Sequence, residues 1–226
     1  MGLTASSHKV IGNLLDAVMA AAREAGVPVR ALQKADEAQR CSDRDVQCVG
    51  SNGQVVDALD VGDVDLVAGT SWLLTREELA GRLDVLVVDE AGQLSLANTL
   101  AVSRAARNLL LLGDPQQLRQ PGRGIHPDGA DVSALEHVLG ADEVLPADRG
   151  VFLDRSWRMA PALCSVVSGL AYDGSCSRPG SPPTTSWTRH RAGRPRPASA
   201  GCPWSTRATA PRRWRRPPSS LSWSVT

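Results

Sequence analysis

A chain of 226 residues with 42% hydrophobic and 22% charged side chains has room for one core-forming domain and an extension. No apolar run approaches the roughly 20 residues of a membrane span and no signal-peptide pattern is present, so a cytoplasmic protein without membrane contact is expected. The net charge of +1 conceals two unlike parts: all 24 acidic residues and 15 of the 25 basic ones precede Ser175, leaving residues 1–174 at −9 and residues 175–226 at +10.

In chain order, Gly2-Leu3-Thr4-Ala5 reads as a short strand. Val10, Ile11, Leu14, Leu15, Val18 and Met19 then follow a helical period, with Ser7 placed to cap it. Residues 28–33 read as a strand, residues 36–53 as a polar surface excursion, and residues 65–71 as a strand running into a polar end. Two apolar runs of strand length follow, Leu83 to Val88 and Leu109 to Leu112, each ending abruptly in polar residues. Runs of this kind suit parallel strands buried on both faces, which predicts an α/β fold with a mostly parallel sheet. Residues 120–130 form a Gly/Pro loop, residues 133–139 a short helix, residues 151–153 a last strand, and residues 161–172 a helix with Pro161 in its first turn. Five cysteines include no C-x-x-C pair, which argues against a metal site or a disulfide framework.

The polar ends of the two apolar runs carry the chemistry. Ligands of open α/β sheets bind at the carboxyl ends of neighbouring parallel strands. Asp89-Glu90 after one strand, with Asp114 and Gln117 after the next, would set acids and an amide over a single crevice. A Mg-nucleotide hydrolase needs such a set. Asp89 suits Mg²⁺, a hard cation that keeps several waters. Glu90 is placed as the general base for water, and Gln117 can touch the γ-phosphate and sense it. ATP and Mg²⁺ are the cofactors this pattern calls for. The plainer alternative is a strand-capping Asp-Glu pair and an ordinary Gly-Asp-Pro turn.

These motifs carry a resemblance. Asp89-Glu90-Ala91-Gly92-Gln93 resembles motif II of superfamily 1 helicases, and Gly113-Asp114-Pro115-Gln116-Gln117-Leu118 resembles motif III. Leu153-Asp154-Arg155-Ser156-Trp157-Arg158-Met159-Ala160-Pro161 resembles the "Tyr-Arg-Met-His-Pro" signature that follows, with Trp157 in place of Tyr and Ala160 in place of His. The whole is similar to superfamily 1B, the 5′-to-3′ translocating group. That group includes the nonsense-mediated-decay helicases and bacterial helicases fused to RecB-like nucleases. The resemblance implies a RecA-like P-loop ATPase domain over residues 1–148 and the start of a second RecA-like domain over residues 149–174. It also implies an ATP-dependent helicase acting on single-stranded DNA or RNA, with a second RecA-like domain and a nuclease domain as partners in a longer parent. Arg158 would approach the phosphate across the interdomain cleft. Ser7 and His8 stand where motif Ia meets the phosphates of a single strand, and Thr70 and Ser71 where a second segment contacts nucleic acid.

No Gly-x-x-x-x-Gly-Lys-Ser/Thr phosphate loop occurs in the 226 residues, and that loop holds the β- and γ-phosphates and a Mg²⁺ ligand. The expectation is a fragment of a larger helicase that is inactive alone. The alternatives are a non-catalytic single-strand-binding module and a non-functional truncated product. Residues 175–226 hold ten Arg, nine Pro and four of the six Trp, with no Asp, Glu, Lys or Ile. That composition predicts a disordered tail. It suits either a nucleic-acid-binding extension or an out-of-frame translation of GC-rich sequence, and the second is favoured because the resemblance stops at Gly174.

Overall fold

The computed structural model describes residues 1–117, 132–140, 149–172, 174–179 and 222–225. Strands β1 (Gly2–Thr4), β2 (Ala31–Lys34), β3 (Gln47–Val49), β4 (Leu66–Ala68), β5 (Leu83–Val88) and β6 (Ala106–Leu111) form a sheet in the order β3-β2-β4-β1-β5-β6. All neighbouring pairs among these six strands are parallel. Residues Ser222–Val225 (β7) pair with the free side of β6 in the same sense. The architecture is the α/β, mostly parallel sheet that the apolar runs predicted, consistent with a partial RecA-like domain.

Helices cover both faces because successive strand residues point to opposite sides. Leu66 and Ala68 pack with Leu3 under helix α1 (His8–Glu24), which contributes Ile11, Leu15 and Met19 at helical spacing. Val67, between them, faces the other way, into a larger core with Leu86, Val88, Leu109 and Leu111. That core is closed by α2 (Asn52–Val61), α3 (Ser71–Leu74), α4 (Leu96–Ser103) and α5 (Ala134–Leu139). The Ser7 hydroxyl accepts the Val10 amide at 3.3 Å, so the expected N-cap is in place. Helix α6 (Pro161–Ala171) buries Cys164 and Ser168 but leaves Leu163, Val166 and Leu170 exposed along one stripe. No helix among the described residues is long and apolar enough to cross a membrane.

Several elements differ from expectation. Strand β2 starts at Ala31 instead of Pro28. Proline has no N–H for the ladder, and the Arg30 amide and guanidinium are both taken by the Asp65 carboxylate, at 3.0 and 2.8–2.9 Å. Residues 36–53 are more than a polar excursion: they hold a 3-10 turn (Glu37–Gln39), the edge strand β3, and the Ser51–Gln54 capping box that opens α2. Cys41 and Val46 from this segment are buried. No strand forms at residues 151–153, where Val151 and Leu153 are exposed; instead Arg155 makes a single bridge to Ser177. The stretch expected to lack structure from Ser175 is held at its start, with Cys176 buried and its amide donating to the Ser168 hydroxyl at 2.9 Å. The Gly/Pro loop at 120–130 lies outside the described residues, as do residues 180–221 of the tail.

Candidate functional site

The carboxyl ends of β5 and β6 are locked together. The Ala91 amide donates to the Leu112 carbonyl at 2.8 Å and the Leu112 amide to the Val88 carbonyl at 2.9 Å. Two glycines make this approach possible. A Cβ on Gly92 would lie 2.4 Å from the Asp114 carbonyl oxygen, and one on Gly113 would lie 2.9 Å from the Ala91 nitrogen. Both contacts are with backbone that cannot swing aside.

Asp89 follows β5, and its amide donates to the Thr4 carbonyl at 2.8 Å. One Asp89 oxygen accepts the Glu90 amide at 2.9 Å, and its second oxygen has no hydrogen-bond partner among the described residues. Glu90 has φ 55, the one non-glycine in the left-handed region among the described residues. Such strain persists where the surroundings enforce it, often at functional positions. The Gln93 side-chain amide donates to the Glu90 carboxylate at 3.2 Å and holds it. A single carboxylate with an open oxygen, beside a second acid, fits Mg²⁺, which takes one or two protein carboxylates and keeps its remaining waters. Asp89 would hold that ion.

At the end of β6, Asp114 accepts the Gln116 amide at 3.0 Å, the Gln117 side-chain amide at 3.3 Å and the Tyr172 hydroxyl at 2.5 Å. Asp114 thus anchors Gln117 and ties the motif to the segment after α6. A cavity of about 490 Å³ brings Asp114, Gln117 and Arg158 together with Tyr172 and Phe152. Asp89 and Glu90 do not line it; they sit at the neighbouring strand end. The Tyr172 contact could not be seen in the sequence, where the two residues are far apart.

Burial, and then the hydrogen bond to Asp114, push the Tyr172 phenol well above its ordinary range. A raised folded pKa stabilises the fold fully below the unfolded value near 10, and that contribution is lost as pH rises above it. Tyr172 is the one tyrosine of the chain, so tyrosinate absorbance reads it alone. Ionisation is expected only together with unfolding, and Asp114→Asn should move it to lower pH. A wild-type titration near pH 10 in the folded protein would show the hydrogen bond to be absent.

A second cavity, of about 610 Å³, gathers Ser7, His8, Thr70 and Ser71. The sheet order causes this. β1 pairs directly with β4, and the Gly69 amide donates to the Leu3 carbonyl at 3.1 Å. The polar residues after the two strands therefore meet. Thr70 occupies the N-cap position of α3, but its hydroxyl makes no capping bond. The His8 Nδ1 atom is buried with no partner among the described residues. The far wall, residues 38–42, is held by Gln33, a fully buried side chain on β2. Its oxygen accepts the Cys41 amide at 2.8 Å and its nitrogen donates to the Gln39 carbonyl at 3.2 Å.

A family profile described as an AAA domain matches residues 29–120, which take in both strand ends with Asp89, Glu90, Asp114 and Gln117. The mouse (Mus musculus) protein described as 5'-3' DNA helicase ZGRF1 is 32% identical over 96 residues, 42% of this chain. The chain spans 5% of that relative's length. Together these similarities support a helicase-like, nucleotide-binding family.

Proposed function

We propose that this chain supplies the nucleotide-facing and strand-facing edge of a superfamily 1B helicase, which couples ATP hydrolysis to 5′-to-3′ movement on single-stranded nucleic acid. In this reading residues 1–148 are part of a first RecA-like domain and residues 149–174 begin a second. The observation that carries it is one sheet edge bearing two sites: Ser7, His8, Thr70 and Ser71 in one cavity, and Asp89 and Glu90 beside the end of β6 with Asp114 and Gln117. Glu90 takes the proton of the attacking water, and its strained backbone and the Gln93 bond fix its carboxylate. Asp89 would hold Mg²⁺, which when bound neutralises charge on the transferred phosphoryl group. Gln117, released from Asp114, turns to the γ-phosphate, and Arg158 approaches from the α6 side. In this reading the Asp114–Tyr172 bond would join the two domains at the partner of the sensing Gln117, so nucleotide occupancy there would bear on their relative position.

A second reading, a single-strand-binding module without catalysis, is favoured by one observation. The strand-facing cavity is lined by four expected contact residues, while the 226 residues contain no phosphate loop. Fluorescence anisotropy with a labelled oligothymidylate tests what both readings share. Removing the Thr70 and Ser71 hydroxyls together (Thr70→Ala, Ser71→Ala) is expected to weaken binding roughly tenfold or more, the scale of losing one or two charge-assisted hydrogen bonds. Unchanged affinity in that double variant would remove these residues from the interface. The two readings part on nucleotide: a Mg-ATP analogue that alters strand affinity supports the helicase, and indifference to it supports the module.

A further inference from the structure

We infer that Trp72 is a base-stacking platform in the wall of the strand-facing cavity, beside the residues proposed to meet phosphate; this rests on the nucleic-acid reading above. Trp72 is 85% exposed, whereas the next two residues of the same short helix, Leu73 and Leu74, are 2% and 0% exposed. The helix turns its leucines into the core and holds the indole out over the cavity that also contains Ser7, His8 and Ser71. An indole is among the largest apolar side chains, and leaving it in water is unfavourable unless something covers it. Its backbone is not loose: α3 packs on α4, and the buried leucines fix the point from which the ring projects.

The surroundings favour a nucleic-acid base over an apolar peptide. Lys9 and Arg40 line the same cavity; Arg40 is paired with Glu37 at 3.7 Å and donates to the Val46 carbonyl at 3.3 Å, so Lys9 is the cation left for a phosphate. Its one acid, Asp16, already accepts the Ser42 and Asp43 amides at 3.2 and 2.9 Å. A flat aromatic face beside hydroxyls and a cation matches an unpaired nucleotide, with the base on the ring and its phosphate on the polar side. Stacking of this kind tolerates any base, because every base presents a π-face. The site therefore reads single-strandedness and not sequence.

The test compares an oligothymidylate with an abasic strand of the same length, at one fixed salt concentration so that the arginines of residues 175–226 contribute equally throughout. Wild type is expected to prefer the oligothymidylate. Trp72→Ala should weaken it by roughly 5- to 100-fold, the measured range for loss of one base–aromatic stack, and leave the abasic strand unchanged. Trp72→Phe should restore most of the loss. Because the side chain is exposed, Trp72→Ala should keep the wild-type melting temperature, which separates lost stacking from lost structure. Equal affinity of wild type and Trp72→Ala for the oligothymidylate overturns the stacking role alone, as does parallel weakening on both strands. Failure of the wild type to bind either strand overturns the nucleic-acid reading and this inference with it.

Discussion

The purified 226-residue chain is expected to hydrolyse ATP no faster than its Glu90→Gln variant. Phosphoryl transfer asks little covalent chemistry of a protein; most of the acceleration comes from positioning and from charge placed against the phosphoryl oxygens. Orientation alone can supply about 7–11 kcal/mol of a barrier, and a single preorganised donor about 3–4 kcal/mol. In the proposed site Asp89 would serve metal, Glu90 water, and Gln117 and Arg158 the γ-phosphate. It has no run of glycine-loop amides, no phosphate-loop lysine and no adjacent hydroxyl for Mg²⁺. Gln117 is moreover bonded to Asp114 and not free in the cavity. Losing several donors at once places the expected rate at least about 10⁴-fold below that of a complete site. Phosphate release measured against Glu90→Gln decides it: turnover that disappears in the variant would mean that the chain assembles a working site without the loop.

Gln33→Leu is expected to be among the most damaging single substitutions in the protein. The side chain is fully buried on β2 and spends both polar atoms on residues 39–41. Leucine fills a similar volume but leaves the Cys41 amide and the Gln39 carbonyl without partners. An orphan costs about 1–3 kcal/mol where it is buried, as the Cys41 amide is, so up to about 6 kcal/mol for the two together, a large part of the roughly 5–15 kcal/mol that holds a domain folded. The melting temperature should fall by roughly 5–15 °C. Strand binding should weaken as well, because the segment that Gln33 fixes is one wall of the cavity. A melting temperature within about 2 °C of wild type would mean that water or backbone relaxation replaces both bonds.

Apolar patterning and cap residues revealed most of the buried elements, β1, β4, β5, β6, α1, α5 and α6 among them. The runs before Asp89 and Gly113 and the α1 stripe from Ile11 to Met19 stood out because deep burial demands an unbroken or regularly spaced apolar pattern. Strand β3 did not, since an edge strand of three residues needs little apolar content and opens with the exposed Gln47. The Ser51–Gln54 capping box is a local helix-start pattern set within a stretch of otherwise polar surface character. Residues 151–153 mislead in the opposite direction: three residues of apolar character have no neighbouring ladder to join among the described strands. For the site, Ser7-His8 and Thr70-Ser71 were each identifiable as polar strand ends, but only the sheet order, with β1 beside β4, sets them in one cavity. Gln33, Gly92, Gly113 and Tyr172 act through partners distant in sequence or through close backbone approach, and neither leaves a local pattern.

The position of β1 has a consequence for how the molecule reaches this state. Its three residues lie at the middle of the sheet, with Gly2 in register with Val67 on one side and Leu86 on the other. Neither neighbour can be met early, because each pairing closes a loop that spans one or more βα units. Such non-local pairing on both sides of the strand that unites the two halves of the sheet is expected to slow folding. Until β1 is paired, β4 and β5 each lack a neighbour on the side that faces it, and such open edges invite pairing with other chains.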